Sequence, residues 1–173
     1  MQWTVVLIMS FLMQPSFAAS LYKKALDTKT ENYMTSGVVI GGEAGAGFSL
    51  LNVRRQHSPK IGVERVILDI GDREGLPLKT HPGFFHVSIE KKPARIVIDL
   101  SQVTRSKVTE MELVKIFSAS PFIKSVELSM DAEDSAATLV FNTKTSVAVE
   151  VFQLPLNKKS GRLVIDVKKA KTI

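Results

Sequence analysis

Arginine and aspartate recur four positions apart with three apolar residues between them: Arg65-Val-Ile-Leu-Asp69, Arg95-Ile-Val-Ile-Asp99 and Arg162-Leu-Val-Ile-Asp166. Thr138-Leu-Val-Phe-Asn142 is a weaker fourth copy. A guanidinium presents a planar fork of donors suited to bidentate capture of a carboxylate, and an aspartate presents acceptors. These side chains suit recognition of an acidic ligand. They equally suit cross-strand ion pairs that solvate a sheet, each worth less than about 1 kcal/mol. Pairing inside one pentad is excluded, because residues four apart on a strand stand about 13 Å from each other.

Other reactive side chains assemble into nothing recognisable. The three histidines, His57, His81 and His86, have no partner at zinc-protease spacing, and no His-Glu-x-x-His occurs. The chain lacks cysteine, which removes disulfides, thiolate nucleophiles and thiolate zinc ligands. No Gly-x-Ser-x-Gly elbow is present, and Asp131-Ala-Glu-Asp134 has too few ligands for a calcium loop. The Gly-rich stretch 41–47 lacks the spacing and the strand-helix context of a dinucleotide site. No catalytic activity, metal or cofactor is expected.

The pentads lie where β-branched runs alternate with Pro, Gly and Asp clusters, as strands and turns require. Strands are expected near 63–70, 84–90, 94–100, 122–129, 137–142, 147–154 and 161–168, with an extra one over Phe48–Val53. Thr109 and Glu112 have capping-box spacing and Val108 with Leu113 can form a staple, so a helix should start at Glu110. It should end near Ser118, before Pro121. Residues 19–60 otherwise read as an arm, with a polar, helix-compatible piece over Tyr22–Tyr33.

The pentads pair in order, 65 with 138 and 95 with 162, at separations of 73 and 67 residues. Another strand lies inside each pair, so a three-strand unit is written twice and joined through the helix. Side chains alternate along a strand, which sets Arg95, Val97 and Asp99 on one face and Ile96, Ile98 and Leu100 on the other. The expected fold is all-β: a sandwich of two symmetric small antiparallel sheets from an internal duplication, with one short connecting helix and the Arg/Asp motif on both outer faces. Of Phe84 and Phe85, alternation turns one outward.

Three segments together resemble the AMIN domain family: Arg95-Ile-Val-Ile-Asp-Leu100 after Pro93, Phe122-Ile-Lys-Ser-Val-Glu-Leu128, and the closing Gly161-Arg-Leu-Val-Ile-Asp-Val167. The resemblance covers about residues 61–168. It implies a non-catalytic module that binds peptidoglycan or localises to the cell wall, with Arg65, Asp69, Arg95, Asp99, Arg162 and Asp166 as candidate ligand-binding residues. The alternative it allows is a protein–protein interaction module of a periplasmic secretin, pilus or division complex.

Charge and the N-terminus agree with an envelope setting. Residues 5–13 form a short apolar run followed by Pro15 and Ser16-Phe17-Ala18, as in a signal peptide cleaved after Ala18. Export to the periplasm of a Gram-negative bacterium is expected, with no membrane-spanning segment after cleavage. The net charge of +6 survives that cleavage and favours anionic envelope partners over nucleic acid in such a compartment. Lys168, Lys169 and Lys171, with Lys158 and Lys159, add basic charge near the C-terminal end. The expected organisation is a signal peptide (1–18), an arm (19–60), the sandwich (61–168) and a basic tail (169–173).

Overall fold

Apolar alternation is realised in eleven strands of the computed structural model, which describes residues 22–78, 80–154 and 161–171. The expected signal peptide, Lys158 and Lys159 lie outside the described residues. The strands are β1 (Tyr22–Lys24), β2 (Gly37–Gly41), β3 (Phe48–Ser58), β4 (Val63–Asp72), β5 (Phe85–Lys91), β6 (Ala94–Leu100), β7 (Val103–Ser106), β8 (Ile123–Asp131), β9 (Ala136–Thr143), β10 (Val147–Leu154) and β11 (Gly161–Lys169). One helix, α1 (Glu110–Phe117), lies between β7 and β8. Its capping box is formed: Thr109 Oγ1 accepts the Glu112 N–H, and Glu112 accepts from the Thr109 N–H at 2.8 Å.

Two sheets stack on their apolar faces, six-stranded β1-β2-β5-β6-β9-β8 and five-stranded β10-β11-β4-β3-β7. Both are mixed, because β1–β2 and β3–β7 are parallel pairs. Between the sheets lie Leu68, Ile70, Val87, Ile96, Ile98, Leu139, Phe141, Leu163 and Ile165, all essentially without solvent contact. Burying each such side chain contributes roughly 1.5–3 kcal/mol, which is why the fold needs no disulfide.

The duplication is present and larger than three strands. The quartets β5-β6-β9-β8 and β10-β11-β4-β3 have the same antiparallel order, so β3 to β6 correspond to β8 to β11. Each half contributes two strands to one sheet and two to the other; the halves interlace instead of forming one sheet apiece. A bulge marks the same point in both copies, at Leu51 between Leu50 and Asn52 and at Lys124 between Ile123 and Ser125. These two positions are 73 residues apart, the spacing of the first pentad pair.

The expected arm is part of the sandwich. β3 is an integral strand, and β1 and β2 extend the six-stranded sheet. Tyr22–Tyr33 is not helical: after β1 the chain touches the edge of β10 at Leu26 and again at Met34, where Met34 and Val149 exchange both backbone hydrogen bonds. Few apolar positions and the demand of an open β10 edge outweigh helix propensity there. The Gly-rich stretch packs closely, since a Cβ on Gly42, where φ is +87°, would collide with the Gly83 carbonyl.

A buried carboxylate fixes the link from α1 to β8. Glu64 faces inward on β4 with no solvent exposure, accepting from Arg55 Nη1 and from Ser120 Oγ, both at 2.6 Å. Ser120 Oγ in turn accepts the Ile123 N–H at 2.8 Å, so this ion pair orients the start of β8.

Candidate functional site

Strand registry sets the outer face of the five-stranded sheet as cross-strand rows. One row is Gln56, Arg65, Asp166 and Glu150; another is Asn52, Asp69, Arg162 and Leu154. In the first, Arg65 donates from Nε and Nη2 to the two oxygens of Asp166, at 2.6 and 2.7 Å, and lies 5.5 Å from the Phe152 ring centre. Asp166 has no solvent exposure. Hydrogen bonding to Asp166 holds the Arg65 guanidinium above its ordinary pKa.

Asp166 is buried because residues 27–33 fold over β10 and β11. Glu150, directly across from Asp166 and itself buried, accepts from Thr30 N–H at 2.7 Å, Thr30 Oγ1 at 3.2 Å and Asn32 N–H at 3.3 Å through one carboxylate oxygen. Lys29 Nζ reaches Asp166 at 3.4 Å, and Lys168 stacks 3.4 Å over the Tyr33 ring. Burial pushes the Tyr33 hydroxyl pKa up, and the Asp166 charge adds to it. Replacing Glu150 with alanine is expected to strand these donors at a cost of about 1–3 kcal/mol. The check is amide exchange: residues 27–33 should lose protection while β4 and β11 keep theirs.

Around the second row two arginines meet one carboxylate. Asp69 accepts bidentately from Arg54, Nε to Oδ2 at 2.9 Å and Nη2 to Oδ1 at 2.8 Å, and from Arg162 Nε at 3.1 Å. Asp69 is 12% exposed at the side chain, whereas Arg54 and Arg162 are 38% and 34% exposed. Two guanidiniums thus sit at the surface around one carboxylate.

On the outer face of the six-stranded sheet the corresponding rows differ. Arg95 donates to Glu90 at 2.8 Å. Asp99 accepts from Thr138 Oγ1 at 2.7 Å and lies 3.2 Å from His86 Nδ1. Asn142 donates to Ser125 Oγ and Glu127 Oε1 at 3.1 and 3.0 Å. The six expected residues are therefore not one site: Arg65 joins Asp166, Asp69 joins Arg162, and Arg95 and Asp99 stand on the other sheet. Arg54, Lys29, Glu90, Glu127 and Glu150 also belong to these clusters and were not singled out from the sequence. The signal available for Arg54 was its position 73 residues before Glu127.

Away from the rows, His81 lies between two acids, Nδ1 at 2.7 Å from Glu43 and Nε2 at 3.1 Å from Asp27. Among the described residues no group of three or more His, Asp or Glu is arranged to hold a metal ion. Phe84 is the outward phenylalanine, half exposed, and Phe85 is buried. The Gln153 side-chain hydrogen bond, followed by the His81 contact, lowers the Asp27 pKa from its ordinary 3.8. The Thr109 backbone and side-chain hydrogen bonds lower Glu112 from its ordinary 4.5. A carboxyl group whose folded pKa is depressed stabilises the fold above its unfolded pKa, and that stability drains as pH falls through the folded value. The urea midpoint should accordingly fall between pH 6 and pH 3, and Glu112→Gln should show a smaller fall than wild type.

Comparison with known protein families and with curated proteins finds no match to this chain.

Proposed function

We propose that this chain is a non-catalytic, exported cell-envelope module that binds peptidoglycan through outer-face arginines. The observation that carries the reading is the Arg54–Asp69–Arg162 cluster, where two guanidiniums, each about one-third exposed, share one carboxylate. An additional carboxylate, such as those of wall stem peptides, matches that surplus in charge and in fork geometry. The net charge of +6 supports attraction to an anionic polymer. The resemblance of the repeat to the AMIN family and the apolar run at residues 5–13 support the envelope setting. Among the described residues no helix is long and apolar enough to cross a membrane.

A second reading, a protein–protein module of a secretin, pilus or division complex, draws on β8, which ends the six-stranded sheet as a nine-residue edge strand. Co-sedimentation with purified sacculi separates the two. Wall binding predicts that the protein pellets at low salt, pellets less at moderate salt and releases no soluble wall fragments. Failure to pellet at any salt would favour the protein partner, and release of fragments would make the chain an enzyme.

A further inference from the structure

We infer that carboxylate recognition is confined to one of the two quasi-equivalent faces, at a seat built by Arg54 and Arg162 on Asp69, with Arg54 as the residue that decides which face binds. The inference rests on the envelope-binding reading and names the part of the surface that carries it. Its basis is a comparison the molecule makes with itself. The duplication sets β3 and β4 against β8 and β9, and β10 and β11 against β5 and β6. Arg54 then corresponds to Glu127, Asp69 to Asn142, Arg162 to Arg95 and Leu154 to Glu90.

The same four positions carry opposite charge. At Asp69, among the described residues, two guanidiniums meet one carboxylate, leaving one positive charge. Around Asn142 stand one guanidinium and two carboxylates, leaving one negative charge. In that second set Arg95 is held by Glu90, and Glu127 accepts from Asn142. An incoming carboxylate there would have to displace Glu90 from Arg95 while facing Glu127. Like charges so placed reject the ligand as firmly as a guanidinium fork attracts it on the other face.

Geometry favours the Asp69 face further. Asp69 lies beneath the two arginines and bonds both, which fixes their forks before any ligand arrives and lowers the ordering cost of binding. Arg162 spends only its Nε on Asp69 among the hydrogen bonds described, so its terminal nitrogens are the donors a ligand carboxylate would meet. Residues 27–33 cover the β10 and β11 side of the Arg65 row. Arg54 stands on the β3 side of the seat, away from residues 27–33, with 38% of its side chain exposed.

The test is a titration of the ¹⁵N-labelled protein with N-acetyl-alanylalanine, whose single charge is a terminal carboxylate, and with its C-terminal amide as the neutral control. The seat predicts that the Nε–Hε signals of Arg54 and Arg162 shift with the acid and not with the amide, and that Arg95 stays in place. Arg54→Gln keeps a hydrogen-bond donor to Asp69 while removing the charge, and should weaken both dipeptide and sacculus binding by about fivefold or more. Silence of Arg54 and Arg162, or a shift of Arg95 as large as theirs, overturns the seat. Sacculus binding that Arg54→Gln leaves unchanged overturns the seat but not the envelope reading. Dipeptide shifts at the seat without sacculus binding overturn the envelope reading alone.

Discussion

Replacing Arg65 with methionine is expected to lower stability by about 3–5 kcal/mol, read as a drop in the urea unfolding midpoint. Asp166 has no solvent exposure, and Glu150 directly opposite it is also buried. Without the guanidinium, two adjacent buried acids keep, among the described residues, Lys29, at 3.4 Å from Asp166, as the ion-paired ammonium. The reverse change, Asp166→Leu, should cost less, because Arg65 is about one-third exposed and can turn its head toward water. Combining the two should recover much of the Arg65→Met loss, since an apolar pair leaves no buried charge unpaired. A loss for Arg65→Met within about 1 kcal/mol would class the pair with ordinary surface contacts. Arg65 and Asp166 then belong to the scaffold, one guanidinium on one fully buried carboxylate, in contrast to Asp69, which is 12% exposed at the side chain and shared by two arginines.

Phe141→Ala should be comparably severe, about 3–5 kcal/mol, for a different reason. Phe141 lies between the sheets on β9, 2% exposed, with its ring edge-on to Phe117 of α1 at 5.1 Å between centres. Truncation opens a cavity at the junction of both sheets and the helix, and it removes an aromatic pair worth about 0.5–1.5 kcal/mol beyond its buried area. Half-exposed Phe84 provides the comparison: Phe84→Ala should stay within about 0.5 kcal/mol of wild type. Thermal or urea melts of the two variants read the difference directly. Similar costs would mean that Phe141 does not join helix and sheets as described.

The strands from β4 onward, except the short β7, were legible because they are β-branched runs bounded by Pro, Gly or Asp clusters, information that lies inside the strand itself, whereas four-residue β7 carries no such signal and is set by its pairing with β3. The capping box of Thr109 and Glu112 was legible for the same reason. The N-terminal region was not, because its conformation is set by distant partners: Glu150 holds Thr30 across 120 residues of sequence. Strands over Phe48–Val53 and 122–129 were expected, but their place as the fourth strand of each repeat escaped for a related reason. β3 and β8 share a bulge position but no pentad, and a bulge is visible only in the register of the neighbouring strand. The arginines and aspartates were recognised as outward-facing, and on β6 they are half exposed. On β4 and β11 the alternation was right but the exposure was not, since residues 27–33 bury Asp166 from outside. Pairing was least legible: Arg65 finds Asp166 and Arg162 finds Asp69 only because β4 and β11 lie side by side, which neither pentad states.

The most direct test of the account compares sedimentation of the purified protein with native sacculi and with sacculi whose carboxylates have been converted to amides. The account predicts pelleting with the native wall and loss of most of it with the amidated wall, as charge-assisted guanidinium–carboxylate contacts require. Equal pelleting with both would contradict carboxylate recognition, and no pelleting with either would contradict wall binding altogether.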